Sequence, residues 1–156
     1  MRSIIALIIS IAIPELIGLL GAWATATSVS DWYPTLNKPW FTPPNWLFGP
    51  AWTTLYALMG IAAYLVWSHG SAKGAVKIAL AAYLIQLLLN ATWSPVFFGL
   101  QAPGPGLVVI VLLWIAIVVT ITWFARVSTI AAWLMVPYLL WVTYATALNV
   151  EIWRLN

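Results

Sequence analysis

Long apolar runs alternate with polar connections along the chain. A helix needs about 20 consecutive apolar residues to cross the hydrocarbon core of a membrane, and five runs have about this length. They predict spanning helices at residues 4–24, 47–67, 75–93, 107–124 and 129–150. The runs are continuous, without the alternation of a membrane β-barrel. Because helices satisfy their own backbone hydrogen bonds in lipid, the pattern predicts an all-α membrane protein, a bundle of five transmembrane helices.

The composition excludes a soluble globular domain. Of the 156 residues, 64% are hydrophobic and 6% are charged, whereas soluble domains carry about 25% charged residues. The net charge of +3 comes from basic residues spread along the chain, which argues against a nucleic-acid partner. The absence of cysteine excludes disulfides and thiolate chemistry. With no repeat or low-complexity stretch, we interpret residues 1–156 as a single domain.

The first apolar run has a second interpretation. Arg2 precedes it and Ala24-Thr25-Ala26 follows it, which is the arrangement of a secretory signal peptide and its cleavage site. The run is longer than a usual signal core. We therefore predict a transmembrane helix, with the signal peptide as the alternative.

The basic residues predict an orientation through the positive-inside rule. Four lie on one side of the predicted bundle and two on the other: Arg2, Lys73, Lys77 and Arg126 against Lys38 and Arg154. This bias places the N-terminus in the cytoplasm and the connection between the first two helices outside.

The connection between the first two helices, predicted at residues 25–46, is the only long one, and we call it the aromatic loop. Residues 38–52, KPWFTPPNWLFGPAW, contain three tryptophans and four prolines. Loops longer than about 12–15 residues are commonly lids or disordered segments, and so many apolar rings argue against disorder. The prolines make the path stiff. We predict a pre-shaped lid over the open end of the bundle; the alternative is an aromatic belt at the membrane interface.

Several short motifs occur in one order along the chain. They are WY at 32–33, LNKPW at 36–40, TPP at 42–44, FGPAWT at 48–53, QL at 86–87, LNATWS at 89–94, FFG at 97–99, PYLLW at 137–141, LN at 148–149 and WRLN at 153–156. In these motifs the chain resembles the TspO/MBR family, the tryptophan-rich sensory proteins and mitochondrial translocator proteins (peripheral benzodiazepine receptors). The motifs lie in the aromatic loop and in three of the five predicted helices.

The resemblance implies a membrane receptor or sensor that binds porphyrins such as protoporphyrin IX and haem, forms homodimers, and in some members promotes porphyrin degradation with light or oxygen. A transporter of tetrapyrroles or other hydrophobic molecules is the alternative, and a role in stress sensing is also open. Animal members carry a cholesterol-recognition pattern with a central tyrosine in the last helix, where this chain has Val150 and Glu151. Sterol binding is therefore not expected, and a bacterial membrane is the expected location.

Polar and aromatic residues at helical spacing predict the ligand pocket. Gln86, Asn90 and Ser94 recur every four residues on the third helix, and polar groups within a span face the bundle interior or a cavity. In the family arrangement, faces of the second, third and fifth helices meet under the aromatic loop. The predicted ligand-binding residues are Tyr33, Trp40, Trp52, Tyr56, Gln86, Asn90, Trp93, Ser94, Trp141, Ala145 and Leu148. For Gln86, an interhelical hydrogen bond without ligand contact is an equal alternative.

Conventional catalytic and metal-binding groups are scarce. His69 is the only histidine and the three acidic residues are far apart in sequence, so we predict no metal site and no cofactor. Trp52 and Trp141 are the only catalytic candidates, as redox-active or photo-oxidised partners of a bound porphyrin.

Glu15 follows Pro14 in the middle of the first helix. A carboxylate at the bilayer centre costs about 2.5–3.5 kcal/mol on insertion scales. We therefore expect Glu15 to be protonated, paired or turned inward, with either a local polar contact or a part in a proton-coupled function.

Two rows of small residues allow close helix approach. Gly18 and Ala22 form one row on the first helix, and Ala75, Ala79 and Ala82 form the other on the third. We expect one or both rows to serve a homodimer, with packing inside a single bundle as the alternative.

Overall fold

The computed structural model describes residues 3–156 and contains five long helices. They are α1 (Ile4–Asp31), α2 (Phe48–Trp67), α3 (Gly74–Ser94), α4 (Pro103–Ala125) and α5 (Thr129–Leu155). All five are long and apolar enough to cross a membrane, which confirms the predicted all-α bundle. Arg2, on which part of the orientation argument depends, lies outside the described residues.

The first helix is longer than the apolar pattern predicts. Residues 25–31 are mostly polar but contain no glycine or proline, and α1 continues through them to Asp31. The Thr25 hydroxyl donates to the carbonyl oxygen of Gly21 one turn earlier at 2.7 Å, so the polar side chain is accommodated within the helix. The aromatic loop therefore spans residues 32–47 rather than 25–46. The candidate signal-peptide cleavage site at 24–26 lies inside the helix.

Helices α2 to α5 form the core, and α1 lies on its flank. Buried side chains from these four helices pack together, among them Met59, Leu87, Ile117 and Met135. By contrast, only Pro14 and Thr25 of α1 are buried. The opposite side of α1 is a surface of exposed isoleucines and leucines, as expected for a helix against lipid.

Glycine allows α1 to approach α2 closely. A Cβ on Gly60 would lie 2.5 Å from both the Cα of Ile11 and the carbonyl oxygen of Ser10. A Cβ on Gly18 would overlap the ring of Tyr56. Gly18 thus packs within a single bundle, which was the alternative to a homodimer contact for the row of Gly18 and Ala22. The predicted homodimer stays a prediction.

Hydrogen bonds hold the aromatic loop against the end of the bundle. The Asn37 N–H donates to Oδ1 of Asn156 at 3.0 Å, and Nδ2 of Asn156 donates to the Asn37 carbonyl oxygen at 2.9 Å. The Tyr144 hydroxyl on α5 donates to the carbonyl oxygen of Phe41. The loop is therefore fastened to the last helix at two points.

The aromatic rings of the loop divide into two groups. Tyr33 is buried against Phe97, Leu148 and Ile152, with Trp32, Leu36 and Phe41 packed around them. This part of the loop covers the bundle end, as predicted. Trp40 and Trp46 are 95% and 72% exposed, a position that fits the interfacial belt rather than a lid.

Lys38 is engaged within the loop itself. Its Nζ donates to the carbonyl oxygens of Tyr33 at 3.0 Å and Leu36 at 3.2 Å. The same atom lies 4.9 Å from the centroid of the Tyr33 ring. Lys38 therefore stabilises the conformation of the loop.

Candidate functional site

The main cavity has a volume of about 320 Å³ and lies between α1, α2 and α3. Its walls are mostly apolar and aromatic. Six of the predicted binding residues line it: Tyr33, Trp52, Tyr56, Asn90, Trp93 and Ser94. The volume is at the lower end of the range of small-molecule sites, about 300–1,000 Å³.

A second, small cavity of about 20 Å³ lies next to the first, towards α5. The predicted residues of the fifth helix, Trp141, Ala145 and Leu148, line it. Five side chains line both cavities and form the wall between them: Tyr33, Phe48, Trp52, Trp93 and Phe98. The predicted pocket is thus divided in two by aromatic rings.

Trp52 lies at the centre of this aromatic wall. Its ring stacks on Tyr56, with the centroids 5.4 Å apart and an interplanar angle of 27°. The Trp141 ring meets it edge-on at 6.4 Å and the Tyr138 ring at 6.2 Å. Edge-on and offset stacked contacts are the favoured geometries of aromatic pairs, so Trp52 is held from both sides.

A buried hydrogen-bond network links three helices beside the main cavity. The Tyr56 hydroxyl donates to Oδ1 of Asn90 at 2.8 Å, and Nδ2 of Asn90 donates to the Tyr138 oxygen at 2.7 Å. The Tyr138 hydroxyl donates to Oε1 of Gln86 at 3.0 Å. Nε2 of Gln86 donates to the sulfur of Met59 at 3.6 Å. Gln86 is fully buried and lines neither cavity, so its geometry matches the interhelical alternative.

A second polar contact fixes Trp93. Its Nε1 donates to Oδ1 of Asn149 at 3.1 Å, and Nδ2 of Asn149 donates to the carbonyl oxygen of Pro103 at 2.8 Å. The bonds join α3, the start of α4 and α5. Neither Tyr138 nor Asn149 was among the predicted site residues, although both belong to motifs that carry the resemblance.

Two buried donors without a partner in the described chain belong to residues that line the small cavity. Within residues 3–156, the Tyr33 hydroxyl and the Trp141 Nε1 have no hydrogen-bond partner, and both residues line this cavity. Burial raises the pKa of Tyr33 above its ordinary value, so the hydroxyl remains protonated and able to donate. Acceptor groups of a ligand that reached these donors would satisfy them.

The first helix supplies a wall of the main cavity that was not predicted from the sequence. Glu15, Gly18, Ala22, Thr25 and Val29 all line the main cavity. They recur at intervals of three and four, which places them on one face of α1. The sequence therefore did contain a signal for this wall, namely the recurrence of mostly small residues on one face of α1.

Trp40, also a predicted site residue, lies outside this arrangement, since it lines neither cavity. In the described part of the chain, no three histidine or acidic side chains come together.

Comparison with known proteins agrees with the motifs. The sequence model of the TspO/MBR family matches residues 10–154. The chain belongs to the TspO/MBR family. It is 48% identical to the tryptophan-rich protein TspO of Archaeoglobus fulgidus over 155 residues, covering 99% of each chain. It is 44% identical to the tryptophan-rich sensory protein of Cereibacter sphaeroides, with 87% of this chain and 85% of the relative covered.

The similarity extends to animal members of the TspO/MBR family. The human translocator protein is 44% identical over 127 residues, which cover 80% of this chain and 75% of the relative. Together with the five candidate spans, family membership makes this chain an integral membrane protein in contact with lipid.

Proposed function

We propose that this chain is a membrane receptor that binds porphyrins, such as protoporphyrin IX or haem, in the tryptophan-lined cavity. The observation that carries the proposal is the main cavity itself, with Trp52, Tyr56 and Trp93 in its walls. A flat macrocycle stacks well on such rings, and each aromatic pair contributes about 0.5–1.5 kcal/mol beyond the burial of its surface.

The polar groups favour one orientation of the porphyrin. Its propionates are hydrogen-bond acceptors, and the buried Tyr33 hydroxyl and Trp141 Nε1 are donors without a partner in the described chain. Propionates directed towards the small cavity would satisfy both donors. The tetrapyrrole ring then lies against Trp52 in the main cavity.

The size of the main cavity places a condition on porphyrin binding. At about 320 Å³, the main cavity is small for a whole substituted macrocycle. The wall shared with the small cavity consists of side chains, so a change in the rotamer of Phe48 would join the two spaces. We therefore propose that porphyrin binding selects a conformation in which the two cavities are continuous.

Transport of tetrapyrroles or other hydrophobic molecules is the second candidate function. The main cavity is bordered by exposed residues of α1 and α2, namely Leu19, Ala22, Gly49 and Thr53, so it opens on the flank of the bundle. Helices broken in mid-membrane would favour transport, but α1 and α5 continue through Pro14 and Pro137. The receptor proposal is therefore preferred.

Titration of the purified protein with protoporphyrin IX tests the proposal, with quenching of tryptophan fluorescence as the signal. Trp52→Ala and Trp141→Ala should each weaken binding at least several-fold. Trp40→Ala is the matched control, because Trp40 is 95% exposed and lies outside both cavities. Unchanged affinity in both cavity variants would place the binding site elsewhere.

A further inference from the structure

The Glu15 carboxyl is an acidic group in the wall of an otherwise apolar cavity. Glu15 lies in the middle of α1, is half-buried and lines the main cavity. Gly18, three residues further along the same face of α1, packs against the ring of Tyr56. Glu15 is therefore one helical turn from the contact between α1 and the aromatic wall.

Several polar groups of the main cavity have partners within the described chain, whereas the Glu15 carboxyl has none there. Tyr56 and Asn90 bond to each other, and the Thr25 hydroxyl donates to the Gly21 carbonyl oxygen. In the part of the chain from Ser3 onwards, the one ion pair joins Arg154 to Glu151. The hydrogen bonds of that part likewise leave the Glu15 carboxyl unbonded.

The described basic residues lie near the ends of the helices, away from Glu15. They are Lys38 in the aromatic loop, Lys73 and Lys77 at the start of α3, Arg126 at the end of α4 and Arg154 in the last turn of α5. A carboxylate within the hydrocarbon region is stabilised by a counter-charge. Since the described chain offers none at this depth, a cationic group on a ligand is suited to the position.

The aromatic wall favours the same kind of ligand. The stacked rings of Tyr56 and Trp52 border the cavity next to α1. Ring faces attract cations, and the attraction increases when the cation is removed from water. A protonated amine near Glu15 therefore gains a counter-charge and aromatic contacts at once.

We infer that Glu15 makes the main cavity selective for flat apolar ligands that carry a protonated amine. The inference rests on the proposed function, because it takes the main cavity as the binding site.

A pair of probes that differ in one atom tests the inference. N,N-dimethyl-(2-naphthylmethyl)amine carries the charge, and 2-isobutylnaphthalene is its uncharged isostere. Each is titrated at neutral pH by calorimetry into the detergent-solubilised protein and into Glu15→Gln. The substitution should weaken binding of the amine by about tenfold or more, as loss of a close charge pair does. It should leave binding of the isostere unchanged.

Two further variants complete the comparison. Glu151→Gln is the matched control, because that acid pairs with Arg154 at the end of α5; both probes should bind it as they bind the parent. Glu15→Asp keeps the carboxyl and should keep much of the preference for the amine, which separates the effect of charge from a folding defect in Glu15→Gln.

Protoporphyrin IX, titrated into the same preparations, separates the two proposals. Suppose that the parent protein binds the porphyrin, but Glu15→Gln either weakens binding of the amine and of the isostere equally or weakens neither. The assignment to Glu15 is then wrong and the proposed function stands. If the parent binds neither the porphyrin nor the naphthyl probes, the proposed function fails and the inference fails with it.

Discussion

The Tyr56 hydroxyl on α2 donates a hydrogen bond of 2.8 Å to Oδ1 of Asn90 on α3. Asn90 also donates to Tyr138 of α5, so one amide group joins three helices. Unlike most polar contacts in the chain, this one lies at the wall of the main cavity. The stability of the bundle and the shape of the site therefore depend on the same residue.

Tyr138→Phe should destabilise the protein. The substitution leaves Nδ2 of Asn90 and Oε1 of Gln86 buried without their partner, at a cost of about 1–3 kcal/mol. Tyr83→Phe is the control, because the Tyr83 hydroxyl is buried and has no partner in residues 3–156, so its removal should be neutral or stabilising. Thermal unfolding in detergent, followed by circular dichroism, compares the two. Equal effects would show that the network contributes nothing specific.

Gly18→Ala should destabilise the protein and weaken ligand binding. The added Cβ overlaps the Tyr56 ring, which cannot turn away freely because it stacks on Trp52 and bonds to Asn90. Overpacking of this kind costs about 1–3 kcal/mol.

Gly49→Ala provides the comparison for Gly18→Ala. Gly49 also lines the main cavity, but apart from its chain neighbours and its own helix backbone, nothing lies within 4 Å of the position that an added Cβ would take. The stability of this variant should change by no more than about 0.5 kcal/mol. Denaturation and protoporphyrin titration of both variants decide the point, and a harmless Gly18→Ala would contradict the close packing of α1 on α2.

The five helices were predictable because each contains a long apolar run. In lipid, the backbone of such a run must satisfy its own hydrogen bonds, which a helix does. The end of α1 was not predictable, since residues 25–31 are mostly polar and yet helical. Gln86 and Asn90 look alike in the sequence pattern. Only packing shows that Gln86 is enclosed by Tyr138 and Met59 while Asn90 borders the cavity.

The position of the cavity was only partly predictable for a related reason. Polar and aromatic residues pointed to α2, α3 and α5, but the third wall of the main cavity is the small-residue face of α1, including Gly18 and Ala22. Small residues equally predict helix contact. Whether small residues line a cavity or form a helix contact depends on where α1 lies against its neighbours.

Porphyrin degradation, if Trp52 and Trp141 take part, should depend on light and on these two rings. Their centroids lie 6.4 Å apart in the wall of the proposed site. We expect illumination of the protoporphyrin complex in air to bleach the porphyrin absorption, and the Trp52→Phe/Trp141→Phe pair to slow the bleaching. Trp40→Phe serves as the exposed control. Equal rates in all three proteins and in free porphyrin would remove the catalytic assignment.

The aromatic loop should control the escape of a bound porphyrin. Residues 25–31 are helical and do not form a flexible end of the loop, so movement of the loop must instead break its contacts with α5. One of these is the bond from the Tyr144 hydroxyl to the Phe41 carbonyl oxygen. Tyr144→Phe removes that bond and keeps the aromatic ring. The Pro43→Gly/Pro44→Gly pair loosens the loop and keeps all of its aromatic side chains.

Both variants should release protoporphyrin IX several-fold faster than the parent, with nearly unchanged association, because closure over an apolar site slows ligand escape. Stopped-flow dissociation measures the rates. Thr143→Val is a suitable control, since the Thr143 hydroxyl lies on the exposed side of α5 and bonds to Trp114 and Leu139. An interfacial belt predicts that neither rate moves. Unaltered dissociation in both loop variants would therefore leave the loop as a membrane anchor, with ligands passing between α1 and α2 instead.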